Sequence, residues 1–205
     1  MPDTDGDFSS DVAFTPAVKA VQARKGSRRA YAHMEEGGSW QTKIPENLKV
    51  FIESRVSFYL ATASADAQPY IQHRGGPPGF LKVLDETTLG FADFSGNRQY
   101  ITLGNLSENP RVQLFLMDYA HRRRIKIWGT AKVVENDAEL IAKFAPPDYG
   151  ARIEQAILIS VSAWDVNCPQ HIPQMLEAEA VEAVLAQKDR RVAELEREVE
   201  RLSRK

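Results

Sequence analysis

The residues best suited to chemistry lie between Pro69 and Leu106, in PYIQHRGGPPGFLKVLDETTLGFADFSGNRQYITLGNL. Three cations, Arg74, Lys82 and Arg98, fall on three successive segments of it. Brought together, such cations grip a phosphate dianion through charge-assisted hydrogen bonds, each worth about 1.5–3 kcal/mol when partly desolvated. Arg74 stands beside Gly75 and Gly76, where missing side chains let a ligand approach the backbone. Asn97, Arg98 and Gln99 lead into a helix start, where free N–H groups favour anions. The plainer alternative is three solvated cations among the 26 lysines and arginines of the chain.

Neighbouring residues extend the picture. Gln72 carries a donor and an acceptor that suit the edge of a flat heterocycle. His73 has the chemistry of a general acid, although a lone strand histidine also serves structure. Asp93 and Ser95 flank Phe94 at a strand end, where alternate groups can face a ring. His121 to Arg124 form a basic knot, read either as a solvated hairpin tip or as an anion contact across a dimer interface. The knot is short and lacks interleaved aromatics, so nucleic acid is not expected. Cys168 and His171 do not read as a nucleophile and base, because no orienting acid stands at suitable spacing. They read as structural residues or a ligand rim. With neither G-x-x-x-x-G-K-[ST] nor G-x-G-x-x-G in the chain, an anionic cofactor would have to sit on a barrel.

The elements that must position these groups follow from periodicity. Thr15-Pro16 opens a helix to about Lys25, Arg28 to Glu36 a second, and Pro45 to Glu53 a third with Leu48, Phe51 and Ile52 on one face. The period then changes to two. Extended segments are expected at Ser57–Ser64, Tyr70–Arg74, Phe80–Leu84, Leu89–Asp93, Arg111–Asp118, Arg124–Glu135 and Ala156–Trp164, with Gly129 at a bulge or bend. Short helices are expected from Tyr100 to Asn105 and from Ala138 to Phe144. The fold class is mainly β (α+β), a six-stranded antiparallel split β-barrel with N-terminal helices and a C-terminal coiled-coil helix. Domains are drawn at 1–46 (tail and helices, with 1–13 frayed), 47–173 (barrel) and 174–205 (helix). In that last segment Val181, Leu185, Val192, Leu195, Val199 and Leu202 follow alternating spacings of four and three, and Lys188 is the polar seam position. Pairing between chains and packing on its own domain both remain open.

Composition sets the frame. The chain has 205 residues, 43% hydrophobic and 26% charged, with a net charge of −2, which gives no global pull toward nucleic acid or membrane. One cysteine excludes an internal disulfide, and four scattered histidines argue against structural zinc. Without an N-terminal apolar stretch or an apolar run near ~18 residues, a soluble cytoplasmic protein is expected.

The segment His73–Val112 resembles the pyridoxamine 5′-phosphate oxidase-like, FMN-binding split-barrel family. The resemblance rests on Arg74 through FLK to Lys82, on Ala92-Asp93 followed by SGNRQ, on NPRV at Asn109–Val112, and on RRRIKIWGTAKV. It covers residues 50–135 well, and CPQHI is similar to a segment of an uncharacterised branch. The resemblance implies that Arg74 and Lys82 are the basic strand pair contacting FMN and that Ala92 and Asp93 are the pair ending the next strand. It implies that Arg98 is the phosphate-binding arginine and that Gln99 stands where the oxidases carry lysine. Arg124 falls where a glutamine reaches the flavin from the partner subunit, which implies a homodimer with two FMN sites. Gly-Gly-Pro-Pro separates Arg74 from Lys82 more widely than in the oxidases. Their C-terminal arginine/histidine cluster for pyridoxal phosphate has no counterpart here, so a vitamin-B6 substrate is not implied. Three readings follow: an FMN-dependent oxidoreductase acting on a small molecule, a non-catalytic flavin-binding or sensor module, or a barrel for another flat anionic cofactor such as a deazaflavin or haem.

Overall fold

Alternation with a period of two puts Phe58, Leu60 and Thr62 on the inner side of strand β1 (Ser57–Ala63) and Tyr59 and Ala61 on the outer side. Strand β2 (Pro69–Gly75) folds back on it, with Ser57 opposite Gly75 and Ala63 opposite Pro69. A second hairpin joins β3 (Leu81–Asp85) to β4 (Thr88–Phe94). Its turn is held by Asp85, whose Oδ1 accepts from the Thr87 amide at 2.8 Å and the Thr87 hydroxyl at 3.0 Å. Those bonds hold the Asp85 carboxyl below its usual range. With β5 (Arg111–Asp118), β6 (Arg123–Val134) and β7 (Ile153–Val166), the strands form one sheet in the order β2-β1-β5-β6-β7-β4-β3. The pairings β1–β2, β1–β5, β3–β4, β4–β7 and β6–β7 are antiparallel. A six-stranded barrel was expected, and all seven of the extended segments read from the sequence form strands, with the five-residue β3 at one edge of the ladder.

The computed structural model describes residues 8–204. They divide into two compact units. One holds the chain through Met117 together with Arg124–Cys168, and the other holds Asp118–Arg123 and the chain from Pro169. In the first unit the helices are α1 (Pro16–Lys25), α2 (Arg28–Glu36), α3 (Glu46–Glu53), α4 (Ile101–Glu108) and α5 (Ala138–Lys143); α6 (Ala178–Ser203) belongs to the second. Among the described residues no helix is long and apolar enough to cross a membrane. The expectation of a frayed end over 1–13 is corrected for its second half. Ser9–Val12 forms a 3₁₀ turn with Ser10 buried, while residues 1–7 lie outside the described residues.

The core is the inner face of the sheet. Phe58, Leu60, Leu89, Phe91, Leu114, Leu116, Ile125, Ile127, Ile157 and Ile159 are each at most 1% exposed. Burying each such side chain is worth about 1.5–3 kcal/mol. Leu48, Phe51 and Ile52 of α3 close one side of this cluster. Strand β4 is buried on both faces, because Phe144, just past α5, packs over Ala92 and Ala156 on its outer face. Gly90 makes that possible, since a Cβ there would overlap the Phe144 ring. The bulge expected at Gly129 is present. The β6–β7 register shifts between Trp128 and Gly129, and a Cβ at Gly129 would overlap the Ser160 carbonyl oxygen.

The two edges of the sheet are brought together by side chains. Arg74 of edge strand β2 ion-pairs with Asp93 of β4, and its guanidinium lies 5.8 Å from the Phe91 ring centroid. Phe58 meets Phe80 and Phe91 at centroid distances of 5.8 and 5.2 Å. This side-chain closure in place of a continuous ladder is what splits the barrel.

Candidate functional site

The closure leaves a cavity of about 220 Å³ beside the Arg74–Asp93 pair. Its walls come from β2 (Tyr70, Gln72, Arg74), the end of β4 (Asp93, Phe94), the loop Gly96–Tyr100, the start of α4 and Glu154 of β7. Alternation along β2 explains its contribution: Tyr70, Gln72 and Arg74 share the half-buried side and Ile71 and His73 the exposed side.

Helix α4 is set over β1 and β2 by polar bonds. Thr102 Oγ1 donates to Gln72 Oε1 at 2.7 Å, and Asn105 Nδ2 donates to Thr62 Oγ1 at 2.9 Å, with Thr62, Thr102 and Asn105 buried. Among the described residues no side chain caps the N-terminus of α4, which opens on the cavity at Tyr100, Ile101, Thr102 and Leu103. The first-turn N–H groups therefore offer a partial positive charge to an anion.

The loop before α4 is strained. Arg98 and Tyr100 sit at φ +60° and +55°, in the left-handed region that costs a non-glycine residue about 1–3 kcal/mol. An Asx turn holds the bend, with the Gln99 amide donating to Asn97 Oδ1 at 3.2 Å. Arg98 Nε donates to Tyr100 Oη at 3.0 Å, and that bond with the nearby Glu154 raises the guanidinium's pKa further above its ordinary value.

Two cations and two carboxylates line the cavity, and they are not equally committed. Asp93 is bound by Arg74 and by Gln155 Nε2 (2.6 Å), which ties Arg74 to barrel closure. The Arg74 Nε is buried with no hydrogen-bond partner among the described residues. Glu154 accepts from Ser95 Oγ at 2.9 Å. Arg98 is the exposed cation whose hydrogen bond goes to a neutral hydroxyl, so it is the group most available to a ligand anion.

The cavity thus gathers Gln72, Arg74, Asp93, Asn97, Arg98 and Gln99 of the expected site residues. Four others lie elsewhere. His73 is on the exposed side of β2, edge-to-face with Tyr59 at 5.7 Å. Lys82 pairs with Gly90 and shares its outer face, opposite the buried Leu81, so it does not meet Arg74 and Arg98. Ala92 is 3% exposed under Phe144 and Ala156. Arg124 is on β6, half-buried, and its Nε has no hydrogen-bond partner among the described residues. Cys168 is an exposed free thiol, and His121 of the basic knot sits 3.0 Å from an Asp118 carboxylate oxygen. Sequence reasoning missed Tyr70, Thr102 and Glu154. Period-two spacing from Gln72 was a signal for Tyr70; none pointed to Glu154, 61 to 55 positions beyond Asp93 and Gln99 in the chain.

The sequence matches the pyridoxamine 5′-phosphate oxidase family over residues 44–184, and the chain belongs to that family. Among curated proteins none matches it. A tagged variant of HupZ from Group A Streptococcus is similar in structure, with a TM-score of 0.50 and 19% identity over 60% of this chain and 99% of its own. An FMN-binding protein from Syntrophomonas wolfei subsp. wolfei gives 0.46, at 11% identity over 76% and 99%. HutZ, a haem storage protein from Vibrio cholerae, gives 0.39, at 17% identity over 60% and 94%.

Proposed function

We propose that the protein binds FMN in the cavity beside the Arg74–Asp93 closure and acts as a flavin-dependent oxidoreductase on a small molecule. The carrying observation is the pairing of Arg98 with the uncapped N-terminus of α4 at one end of that cavity. Family membership supports the same reading.

In this reading Arg98 and the first-turn amides of α4 hold the phosphate. Asn97 and Gln99 bond ribityl or phosphate oxygens, Gln72 meets the ring edge, and the spare Nε of Arg74 donates to a ligand oxygen. Bound isoalloxazine supplies hydride and electron-pair chemistry; the chain binds it, orients it and excludes water. At about 220 Å³ the cavity is smaller than the roughly 300–1,000 Å³ of sites that enclose a whole small ligand. That size supports a second copy of the chain supplying the other wall, with Arg124 as its contribution, and hence a homodimer.

The donor set bears on the other readings. Among the described residues no histidine, cysteine or methionine lines the cavity, so haem there would need a tyrosinate from Tyr70 or Tyr100 or a ligand from elsewhere. The same lack of histidine favours, as a second reading, a flavin-binding module without a general acid.

Purified protein is expected to be yellow, to release FMN on denaturation, and to be re-formed from apoprotein and FMN. Arg98→Ala is expected to weaken FMN binding at least about tenfold with unchanged thermal unfolding of the apoprotein. Colourless protein that FMN does not reconstitute overturns the reading. If the flavin binds but NADH or NADPH fails to bleach it in stopped flow, and no other donor does, the module reading takes its place.

A further inference from the structure

Helix α6 runs for 26 residues without a buried one. Val181, Leu185, Val192, Leu195, Val199 and Leu202 lie along it at 39–62% exposure. Their spacing, completed by Lys188, is four, three, four, three, four, three. That is a stripe of two positions in seven, narrower than the face a globular core takes from a helix and equal to a coiled-coil seam. At 1.5 Å per residue the helix is about 39 Å long, and the seam from Val181 to Leu202 takes up about 32 Å of it. Left bare, it would expose an aliphatic strip along the whole helix.

We infer that α6 pairs in parallel, in register, with α6 of a second copy of this chain to form a two-stranded coiled coil. Three features select that occupant and orientation. First, in the C-terminal half of the seam the residue three before each leucine is β-branched: Val192 precedes Leu195 and Val199 precedes Leu202. In heptad terms these valines are at a and these leucines at d, the combination that favours two parallel strands, while Leu185 at a and Val181 at d reverse it in the N-terminal half. Second, the parallel register wastes one layer. Ala178 joins the six aliphatic positions, each meets itself, and Lys188 meets only Lys188, with both ammonium groups free to snorkel outward. Every antiparallel alignment long enough to include Lys188 sets it against an apolar residue twice and spoils two layers.

Third, the flanking charges fit. In the parallel register Arg191 at g faces Glu196 at e of the second copy, on both sides of the pair. The longest antiparallel overlap instead sets Arg191 against Arg191 and Asp189 against Asp189. Arg191 now bonds Glu194 of its own helix at 3.0 Å, an exposed pair that exchanges at little cost. The one repulsive flank in the parallel arrangement, Glu177 against Glu182, falls at the N-terminal end of the helix.

The inference stands apart from flavin binding, and the test separates self-pairing of α6 from any dimer made by the barrels. In full-length protein carrying Cys168→Ser, Leu202→Cys is expected to form an intermolecular disulfide under mild oxidation, because in-register d positions approach to disulfide reach. Glu200→Cys, on the outer side of the helix, is expected to cross-link at least about tenfold more slowly. Adding Val192→Asp and Leu195→Asp to the Leu202→Cys protein is expected to abolish the cross-link while circular dichroism of the barrel is retained. Equal cross-linking at 200 and 202, no cross-link at 202, or a cross-link that survives the two aspartates overturns the inference.

Discussion

Arg98 and Arg74 are the same residue type in the same cavity, yet their surroundings give them different work. Arg98 is exposed and bonded to a neutral Tyr100 hydroxyl, so its charge is available to a ligand. Arg74 and Asp93 keep only 12% and 10% of their side-chain surface exposed, and each neutralises the other. Breaking a buried pair from one side strands the remaining charge, at about 3–5 kcal/mol. Arg74→Met is therefore expected to lower the urea-unfolding free energy of the apoprotein by about 3 kcal/mol, and adding Asp93→Leu should recover much of it. A loss under about 0.5 kcal/mol for Arg74→Met would show that the pair does not close the barrel. Arg98, Asn97 and Gln99, which the structure places on the cavity wall, were legible as a group because a polar turn before a helix is a local pattern. The pairing of Arg74 with Asp93, 19 positions apart, was not. Type and spacing identify an arginine; they do not say which carboxylate it meets.

At the scale of elements, the period-two segments became strands close to where alternation placed them, and Arg111–Asp118 formed over those same residues. Two departures have plain causes. Lys82 was grouped with Arg74 and Arg98 because all three are basic, but β3 pairs Lys82 with Gly90, which turns it to the outer face under which Phe144 lies. His73 was grouped with Gln72 as its neighbour, and one step along a strand reverses the face. The glycines show what the elements cannot tolerate. At Gly129 the obstacle is the Ser160 carbonyl, part of the β6–β7 ladder, whereas at Gly90 it is the side chains of Phe144 and Leu158. Gly129→Ala is expected to cost about 1–3 kcal/mol in chemical denaturation and to resist rescue. Gly90→Ala should be partly rescued by Phe144→Leu, which shrinks the ring in its way. Equal rescue at both sites would refute the distinction between backbone and side-chain obstruction.

At the scale of the whole molecule, the chain divides into a unit built on the sheet and a unit built on α6. Because no α6 residue is buried, truncation after Met175 is expected to leave a soluble, folded barrel whose main thermal transition moves by less than about 2 °C. Insolubility or a large fall in that transition would make α6 part of the barrel's support. The amino-acid order carried the split-barrel class, the strands, the Gly129 bulge and the heptad stripe, because each is written in residues a few positions apart. Folding alone settled that β2 and β4 meet, and that Glu154 and Thr102 join Arg98 around one cavity. Those outcomes depend on how a curled sheet brings its distant edges together, and contacts between remote segments leave no period in the sequence to read.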